Sequence, residues 1–135
     1  MHEVIISKIQ IHELQDEQLI FLKEKAGSRI FPVVIGVAEV NAIKLCLSGI
    51  HAPRPMTHDL LKSTIEALGG TVKRIIIDSL ENNTFFAKIV LTDKEGKEIR
   101  VDARPSDSIA LAVRLPVPIF VEDSVLDEVG MTPDA

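Results

Sequence analysis

Residues that could do chemistry are concentrated in two short segments of the 135-residue sequence. The first is VDARPSDSIALAVR (residues 101–114), where Asp102, Arg104, Ser106 and Asp107 precede a mostly apolar run. A helix that starts in this segment explains Ser106 and Asp107. Ser106, or a residue beside it, is the expected cap, and Asp107 in the first turn gains about 0.3–1 kcal/mol from the helix dipole. Asp102 and Arg104 remain unexplained, which marks them as site residues or as an ion pair that locks strand to helix.

The second segment is RPMTHDLL (residues 54–61), which opens another predicted helix. Thr57 is the expected N-cap, and the helix dipole accounts for Asp59 in the first turn. His58 then falls at the first helical position, where histidine is not a preferred residue. An imidazole beside a carboxylate acts as a general acid or base near neutral pH, or as a metal ligand. The simpler alternative is an exposed histidine at a helix start.

Together these side chains suit phosphodiester hydrolysis. Carboxylates around a divalent cation activate water and neutralise phosphate, and arginine binds phosphate oxygens through two hydrogen bonds. The candidate catalytic residues are His58, Asp59, Asp102, Asp107 and Glu39, the last from a separate segment. Arg54, Arg104 and Ser106 are the candidates for binding substrate. Spacing alone does not bring them together, because they lie on different predicted elements.

Apolar periodicity predicts seven strands and four helices. The predicted strands are 3–14, 18–25, 29–36, 71–80, 84–93, 97–104 and 118–123. The predicted helices are 38–49, 57–70, one that follows Pro105, and 124–130. The pattern indicates an α+β fold of two layers, with helices on a mostly antiparallel or mixed sheet.

The pattern also repeats within a single predicted domain that spans residues 1–135. Residues 3–49 and 71–115 each read as three strands followed by a helix, and the helix at 57–69 links them. Sliding one unit onto the other places Glu39 opposite Asp107, each in the first turn of its helix. We interpret this as an internal duplication; the alternative is a chance likeness between two meanders.

Composition excludes several classes of protein. The net charge of −5 disfavours broad attraction to nucleic acid, and no GxGxxG, P-loop, CxxC, HExxH or GxSxG motif is present. The single cysteine, Cys46, excludes an internal disulfide and suits a reducing compartment; its apolar neighbours favour a small buried residue over a nucleophile. No apolar run approaches the ~18 residues of a membrane span, so we expect a cytoplasmic protein without a membrane partner.

Four segments resemble the bifunctional nuclease domain family. They are PVVIGVAEVNAI, RPMTHDLL, TFFAKIVL and, most specifically, DARPSDSIALAVR. The resemblance runs from about residue 4 to about residue 127 and implies a small α+β domain with nuclease activity on DNA and RNA. By motif, the resemblance implies the following site residues: Glu39 from the first segment; Arg54, His58 and Asp59 from the second; and Asp102, Arg104, Ser106 and Asp107 from the last. Val40 and Ser108 depart from the usual family alanines, which affects packing and leaves the acidic positions intact.

Two main functions follow as expectations, and a third, weaker one is the binding of a small anion, without chemistry, at the helix starts near Thr57 and Pro105. The first is a nuclease of low sequence specificity on DNA and RNA, with magnesium or manganese as the candidate cofactor and Asp102, Asp107 and Glu39 as its candidate ligands. The second is a non-enzymatic oligomeric module, in which Asp102 and Arg104 pair with each other or with helix starts. In both cases we expect a homo-oligomer, with a dimer favoured.

Overall fold

The computed structural model describes residues 1–11 and 17–132. In this part of the chain the strands are β1 (His2–Gln10), β2 (Glu17–Glu24), β3 (Ile30–Gly36), β4 (Thr71–Glu81), β5 (Thr84–Thr92), β6 (Glu98–Ala103) and β7 (Ile119–Val121). The helices are α1 (Val37–Leu47), α2 (Thr57–Ala67), α3 (Pro105–Arg114) and α4 (Asp123–Val129). The predicted elements are therefore all present, with ends that differ by a few residues. The end of the first predicted strand and most of the turn after it lie outside the described residues.

The seven strands form one mixed sheet in the order β3-β2-β1-β7-β4-β5-β6. Strands β1 to β3 make one antiparallel meander and β4 to β6 make another. The short β7 joins them, antiparallel to β1 and parallel to β4. This confirms the predicted α+β class with a mixed sheet. Each meander is followed by a helix, as predicted, while the duplication itself stays a prediction.

One hydrophobic core lies between the sheet and the helices. Alternating strand residues such as Ile20 and Leu22 point into it, and α3 supplies the fully buried Ile109 and Leu111. Helix α3 contacts α1, α2, β3, β4 and β5, which explains why its sequence is apolar nearly all round. Because α3 is fixed at the centre of the core, its first turn is held firmly at the core's edge.

The helix starts differ from the predicted ones. Met56, not Thr57, is the N-cap of α2, so His58 occupies the second helical position. The physical reason is Asp59, whose carboxylate accepts a hydrogen bond of 2.9 Å from the Met56 backbone N–H and fixes the chain one residue earlier. Ser106 is likewise not a cap: Arg104 is the N-cap of α3 and makes no capping hydrogen bond with its side chain.

The predicted hairpin between β4 and β5 turns through two asparagines. Asn82 and Asn83 have φ values of 51° and 62°, the left-handed conformation that a two-residue type I′ turn requires. Asparagine tolerates this conformation better than other residues with a side chain, except glycine. The turn brings the end of the hairpin beside the start of α3, where Asn83 and Ser106 line one surface groove.

We expect Leu111→Ala to lower the free energy of unfolding by about 2–5 kcal/mol, because it removes a fully buried side chain and leaves a cavity. Leu60→Ala on α2 is the matched control, since Leu60 is 60% exposed and the change should cost less than about 0.5 kcal/mol. Urea denaturation of both variants measures the difference. Equal effects of the two changes would contradict the position of α3 in the core.

Candidate active site

Arg104 joins the first turns of two helices. Its Nε donates to Asp107 Oδ2 at 2.9 Å, and its Nη2 donates to Glu39 Oε1 at 2.9 Å. Asp107 is the third residue of α3 and Glu39 is the third residue of α1. The two acids that the sequence repeat aligned therefore bind the same guanidinium. Because Arg104 is the residue between β6 and α3, the end of the sheet and both helix starts meet here.

His58 completes this group from α2. Its Nε2 lies 3.0 Å from Asp107 Oδ1, and the residue is only 7% exposed. An ionised carboxylate only accepts hydrogen bonds, so Nε2 must carry the proton. In neutral His58 the lone pair is then on Nδ1, which has no hydrogen-bond partner within residues 1–11 and 17–132. We call Glu39, His58, Arg104 and Asp107 the Arg104 cluster.

Asp107 is ionised at neutral pH. Partial burial alone raises its pKa, but the hydrogen bonds from Arg104 and His58 outweigh burial and hold the pKa of Asp107 below its ordinary value. The same hydrogen bond with Asp107 raises the pKa of Arg104. Asp107 can therefore keep His58 in one tautomer, and Arg104 stays charged.

The cluster is open to solvent on one side. A surface depression of about 240 Å³ is lined by the four cluster residues together with Ala38, Ala42, Met56 and Thr57. The Arg104 side chain is 67% exposed, whereas that of Glu39 is 18% exposed. Small-molecule groups can thus reach the guanidinium while the acids that hold it stay partly buried.

Asp59 belongs to a separate interaction. Its Oδ1 accepts a hydrogen bond of 2.8 Å from Nε of Arg114, whose side chain is 6% exposed. The Met56 N–H, assisted by Arg114, holds the pKa of Asp59 below its ordinary value. Arg114 also donates to the carbonyl oxygens of Ala110 and Ala42. Asp59 therefore ties α2 to α3 and does not line the depression that holds His58.

Asp102 lies on the other face of the sheet. Ala103 packs against the core, and strand side chains alternate, so the neighbouring Asp102 points away from the helices. Its Oδ1 lies 3.4 Å from Nζ of Lys88, which also contacts Asp78. The sequence-based pairing of Asp102 with Arg104 or a helix start is wrong, whereas Arg104 does pair with two helix starts.

The two remaining candidates for substrate binding are placed differently from each other. Arg54 is exposed in the segment between α1 and α2 and makes no ion pair within the described residues. It does not line the depression beside His58. Ser106 is buried at 6% exposure and lines a neighbouring groove that shares Arg104 with that depression. The structure thus brings Glu39, His58, Arg104 and Asp107 together, with Ser106 adjacent, and leaves Asp59, Asp102 and Arg54 outside.

In the described part of the chain the candidate carboxylates are held by cationic side chains. Within the described residues no group of three or more His, Cys, Asp or Glu side chains is arranged to hold a metal ion. The cluster acids Asp107 and Glu39 are already bound by Arg104, and Asp102 is on the other face. The magnesium or manganese expected from the sequence therefore stays a prediction.

Sequence reasoning missed two cations. Arg114 anchors Asp59, and Lys88 binds Asp102 across the strands. Arg114 is the last residue of a helix, where a cation is expected for the helix dipole alone. Nothing in the sequence therefore indicated Asp59 as its partner. Lys88 alternates outward on β5 and pairs in register with Asp102, which strand pairing could have suggested.

Cys46 is half-buried, and its thiol lies 3.6 Å from the Val113 carbonyl oxygen.

The fold and the cluster define an α+β domain with a candidate acid–base site at its helix starts. Residues 20–134 match the family model of the bifunctional nuclease domain, which covers most of the chain. The chain belongs to the bifunctional nuclease domain family. The predicted family resemblance is thereby confirmed. No helix in the described part of the chain is long and apolar enough to cross a membrane.

Relatives agree with this assignment. An uncharacterised protein of Mycobacterium tuberculosis is 40% identical over 131 residues, which are 97% of this chain and 77% of that protein. Bifunctional nuclease 2 of Oryza sativa subsp. japonica is 30% identical over 119 residues, which are 85% of this chain and 36% of the rice protein. Bifunctional nuclease 2 of Arabidopsis thaliana is 28% identical over 116 residues, which are 83% of this chain and 35% of the plant protein. The chain thus matches only about a third of each plant nuclease.

We expect the domain to lose stability in acid, and Asp59→Asn to weaken that dependence. The folded-state pKa of Asp59 lies below its unfolded value of about 3.9, so its contribution is present above that pH and is lost as pH falls toward the folded pKa. Thermal unfolding between pH 7 and pH 3 measures this. Glu66→Gln is the control and should keep the wild-type slope, because Glu66 is an exposed acid on the same helix that makes no ion pair among the described residues. A slope unchanged by Asp59→Asn would contradict a stabilising Asp59–Arg114 pair.

Proposed function

We propose that this domain is a nuclease of low sequence specificity that hydrolyses phosphodiester bonds in DNA and RNA. The observation that carries the proposal is the His58–Asp107 hydrogen bond beside an exposed Arg104, at an open depression. The family assignment and the plant relatives named bifunctional nucleases support the same reaction class. The proposal concerns this domain, since it corresponds to about a third of each plant protein.

In the proposed reaction His58 is the general base. Asp107 accepts a hydrogen bond from the Nε2–H of His58, which leaves the Nδ1 lone pair free to take a proton from water. As that proton moves to Nδ1, the water oxygen bonds to phosphorus and the ester P–O bond breaks. The leaving alkoxide takes a proton from solvent water, and Nδ1 afterwards returns its proton to solvent. The developing imidazolium is stabilised by the ionised Asp107. Proton transfer of this kind contributes about 10²–10⁴-fold to a rate.

Arg104 is the proposed phosphate ligand. Its Nε and Nη2 are bound to Asp107 and Glu39, and Nη1 has no partner among residues 1–11 and 17–132. A guanidinium donates well to phosphate oxygens and neutralises charge that develops on them. Glu39 is then a positioning residue that acts through Arg104. The sequence-based roles of Asp59 and Asp102 in catalysis and of Arg54 in substrate binding stay predictions, and none of these residues lines the depression that holds His58.

The charge of the site disfavours tight binding. With neutral His58, the Arg104 cluster combines one guanidinium with two carboxylates, which gives a net charge of −1. The whole chain carries −5. Counterion release drives most nonspecific binding of nucleic acid, and it requires basic residues on phosphates. We therefore infer weak, sequence-independent engagement of substrate with a shallow dependence on salt.

A non-enzymatic module is the second candidate function. The observation that favours it is that both acids of the cluster are already paired, so the cluster also serves to tie α1, α2 and α3 together. In that function the domain acts through binding in an oligomer. The two candidates differ in whether removing His58 changes a reaction or only stability.

We further propose a cytoplasmic homodimer. The free Cys46 suits a reducing compartment. Strand β6 is an edge of the sheet, and residues 98–102 are exposed. An exposed edge of this kind can pair with the same strand of a second copy and extend the sheet. Light scattering of the purified chain measures the oligomeric state.

We expect His58→Gln to reduce cleavage of single-stranded RNA and plasmid DNA by about 10²–10⁴-fold while the protein stays folded. His51→Gln is the matched control, because His51 is an exposed histidine that does not line the depression beside His58. Cleavage is measured with magnesium, with manganese and with chelator, and Tm is measured for each variant. Cleavage by His58→Gln at the wild-type rate would overturn the proposed base. Wild-type protein that cleaves under none of these conditions would favour the non-enzymatic module.

We expect Arg104→Gln to lower kcat/KM by about 10–100-fold, since it removes charged hydrogen bonds to phosphate. Arg100→Gln is the control: Arg100 lies on the same stretch of chain, and its side chain is 52% exposed and contacts only Glu98 among the described residues. Asp102→Asn tests whether Asp102, which was predicted from the sequence but lies outside the Arg104 cluster, takes part in the reaction. We expect this change to leave cleavage unchanged. Loss of cleavage in Asp102→Asn with Tm retained would move the site to the other face of the sheet.

A further inference from the structure

A second depression lies on the other side of Arg104. This groove, of about 370 Å³, runs between β3, the β4–β5 turn and the start of α3. Its walls are apolar where Val33, Val34, Ile35 and Phe85 line it, and polar where Arg104, Ser106, Asn83, Thr84 and Glu17 line it. Arg104 is thus shared by the depression that holds His58 and by this groove.

Ser106 gives the groove an unused hydrogen-bonding group. The residue is 94% buried, lines the groove and has no hydrogen-bond partner within the described part of the chain. Ser108, two residues further along the same helix, is different: its hydroxyl donates to the Arg104 carbonyl oxygen at 2.9 Å. The Oγ of Ser106 is not among the fully buried unpaired side-chain atoms of the described residues, so the oxygen is open to the groove although the residue is mostly buried. The hydroxyl of Ser106 is therefore free to donate to a ligand in the groove.

The backbone around Ser106 favours an anion. Arg104 caps α3 without a side-chain hydrogen bond, and Pro105 has no N–H. Within the described residues, the N–H groups of Ser106 and Asp107 have no acceptor. Free N–H groups at a helix start, with the dipole behind them, bind phosphate well. A hydroxyl, two N–H groups and a guanidinium then belong to one site.

The apolar wall suits a base. Phe85 packs against the fully buried Phe31, with ring centroids 5.8 Å apart and planes inclined by 36°, so its ring is held in place. Aromatic side chains bind bases by stacking, with little preference for sequence. Glu17 also lines the groove, and its charge disfavours a second phosphate.

We propose that this groove binds one nucleotide of the substrate. The phosphate lies at the Ser106 hydroxyl, the first N–H groups of α3 and Arg104, and the base lies against Phe85. The inference rests on the proposed nuclease function, because Arg104 connects the groove to the depression that holds His58. It adds a binding subsite with one phosphate and one base, and it accounts for low sequence specificity through stacking.

The test is a titration of ¹⁵N-labelled protein followed by NMR. The probes are adenosine 5′-monophosphate, ribose 5-phosphate and inorganic phosphate. We expect the nucleotide to bind most tightly and to shift the amide signals of Ser106, Asp107 and Thr84. Ser106→Ala should weaken its Kd by about tenfold, because a hydrogen bond to a charged group is lost. Ser124→Ala is the matched control, since Ser124 is the second residue of α4 as Ser106 is of α3, but is exposed.

The outcomes separate the groove from the reaction. Nucleotide binding that weakens in Ser106→Ala but not in Ser124→Ala supports the subsite, whether or not the protein cleaves nucleic acid. Equal binding of nucleotide and ribose 5-phosphate overturns the placement of the base. Binding unchanged in a folded Ser106→Ala variant, or shifts confined to residues outside the groove, overturns the subsite. Cleavage that survives in that case leaves the proposed function standing without it.

Discussion

The interaction on which the site depends is the pair of hydrogen bonds from Arg104 to Glu39 and Asp107. Each of these acids lies in the first turn of the helix that follows one meander, so a single guanidinium joins the two halves of the sheet-and-helix arrangement. His58 contacts one oxygen of the Asp107 carboxylate, and Arg104 donates to the other oxygen. The imidazole is thus bound to a carboxylate that also belongs to the Arg104 ion pairs.

Three helices carry an acid at the same position, the third residue, yet the acids do different work. All three gain from the helix dipole. What distinguishes them is the partner: Asp59 has the buried Arg114, while Asp107 has His58 and the exposed Arg104. A carboxylate paired with a buried cation stabilises packing. A carboxylate that binds both an imidazole and an exposed guanidinium also determines which imidazole nitrogen carries the proton.

Much of the fold could be predicted from the sequence, because alternation in strands and a 3.6-residue period in helices record burial directly. The helix starts were less predictable. Thr57 and Ser106 have the types typical of N-caps, but Asp59 caps α2 from within the helix and Ser106 lies inside α3. Half of the site followed from the repeat, which aligned Glu39 with Asp107. The separation of Asp102 from Arg104 could not be predicted from alternation, which places residues i and i+2 of a strand on one face. Strand β6 ends at Ala103, so Arg104 leaves the strand and caps α3.

The proposed nuclease activity and the tying together of α1, α2 and α3 are compatible functions of Arg104. Arg104 is 67% exposed, so its ion pairs are screened by water and each contributes little to stability. A phosphate that approaches it can use Nη1 without breaking either bond, and the two carboxylates keep the guanidinium oriented while they reduce its net attraction. Orientation is thus obtained at the expense of affinity. That balance suits an enzyme whose rate depends on holding a phosphate in one position beside His58, and whose substrate is defined by its backbone and not by its sequence.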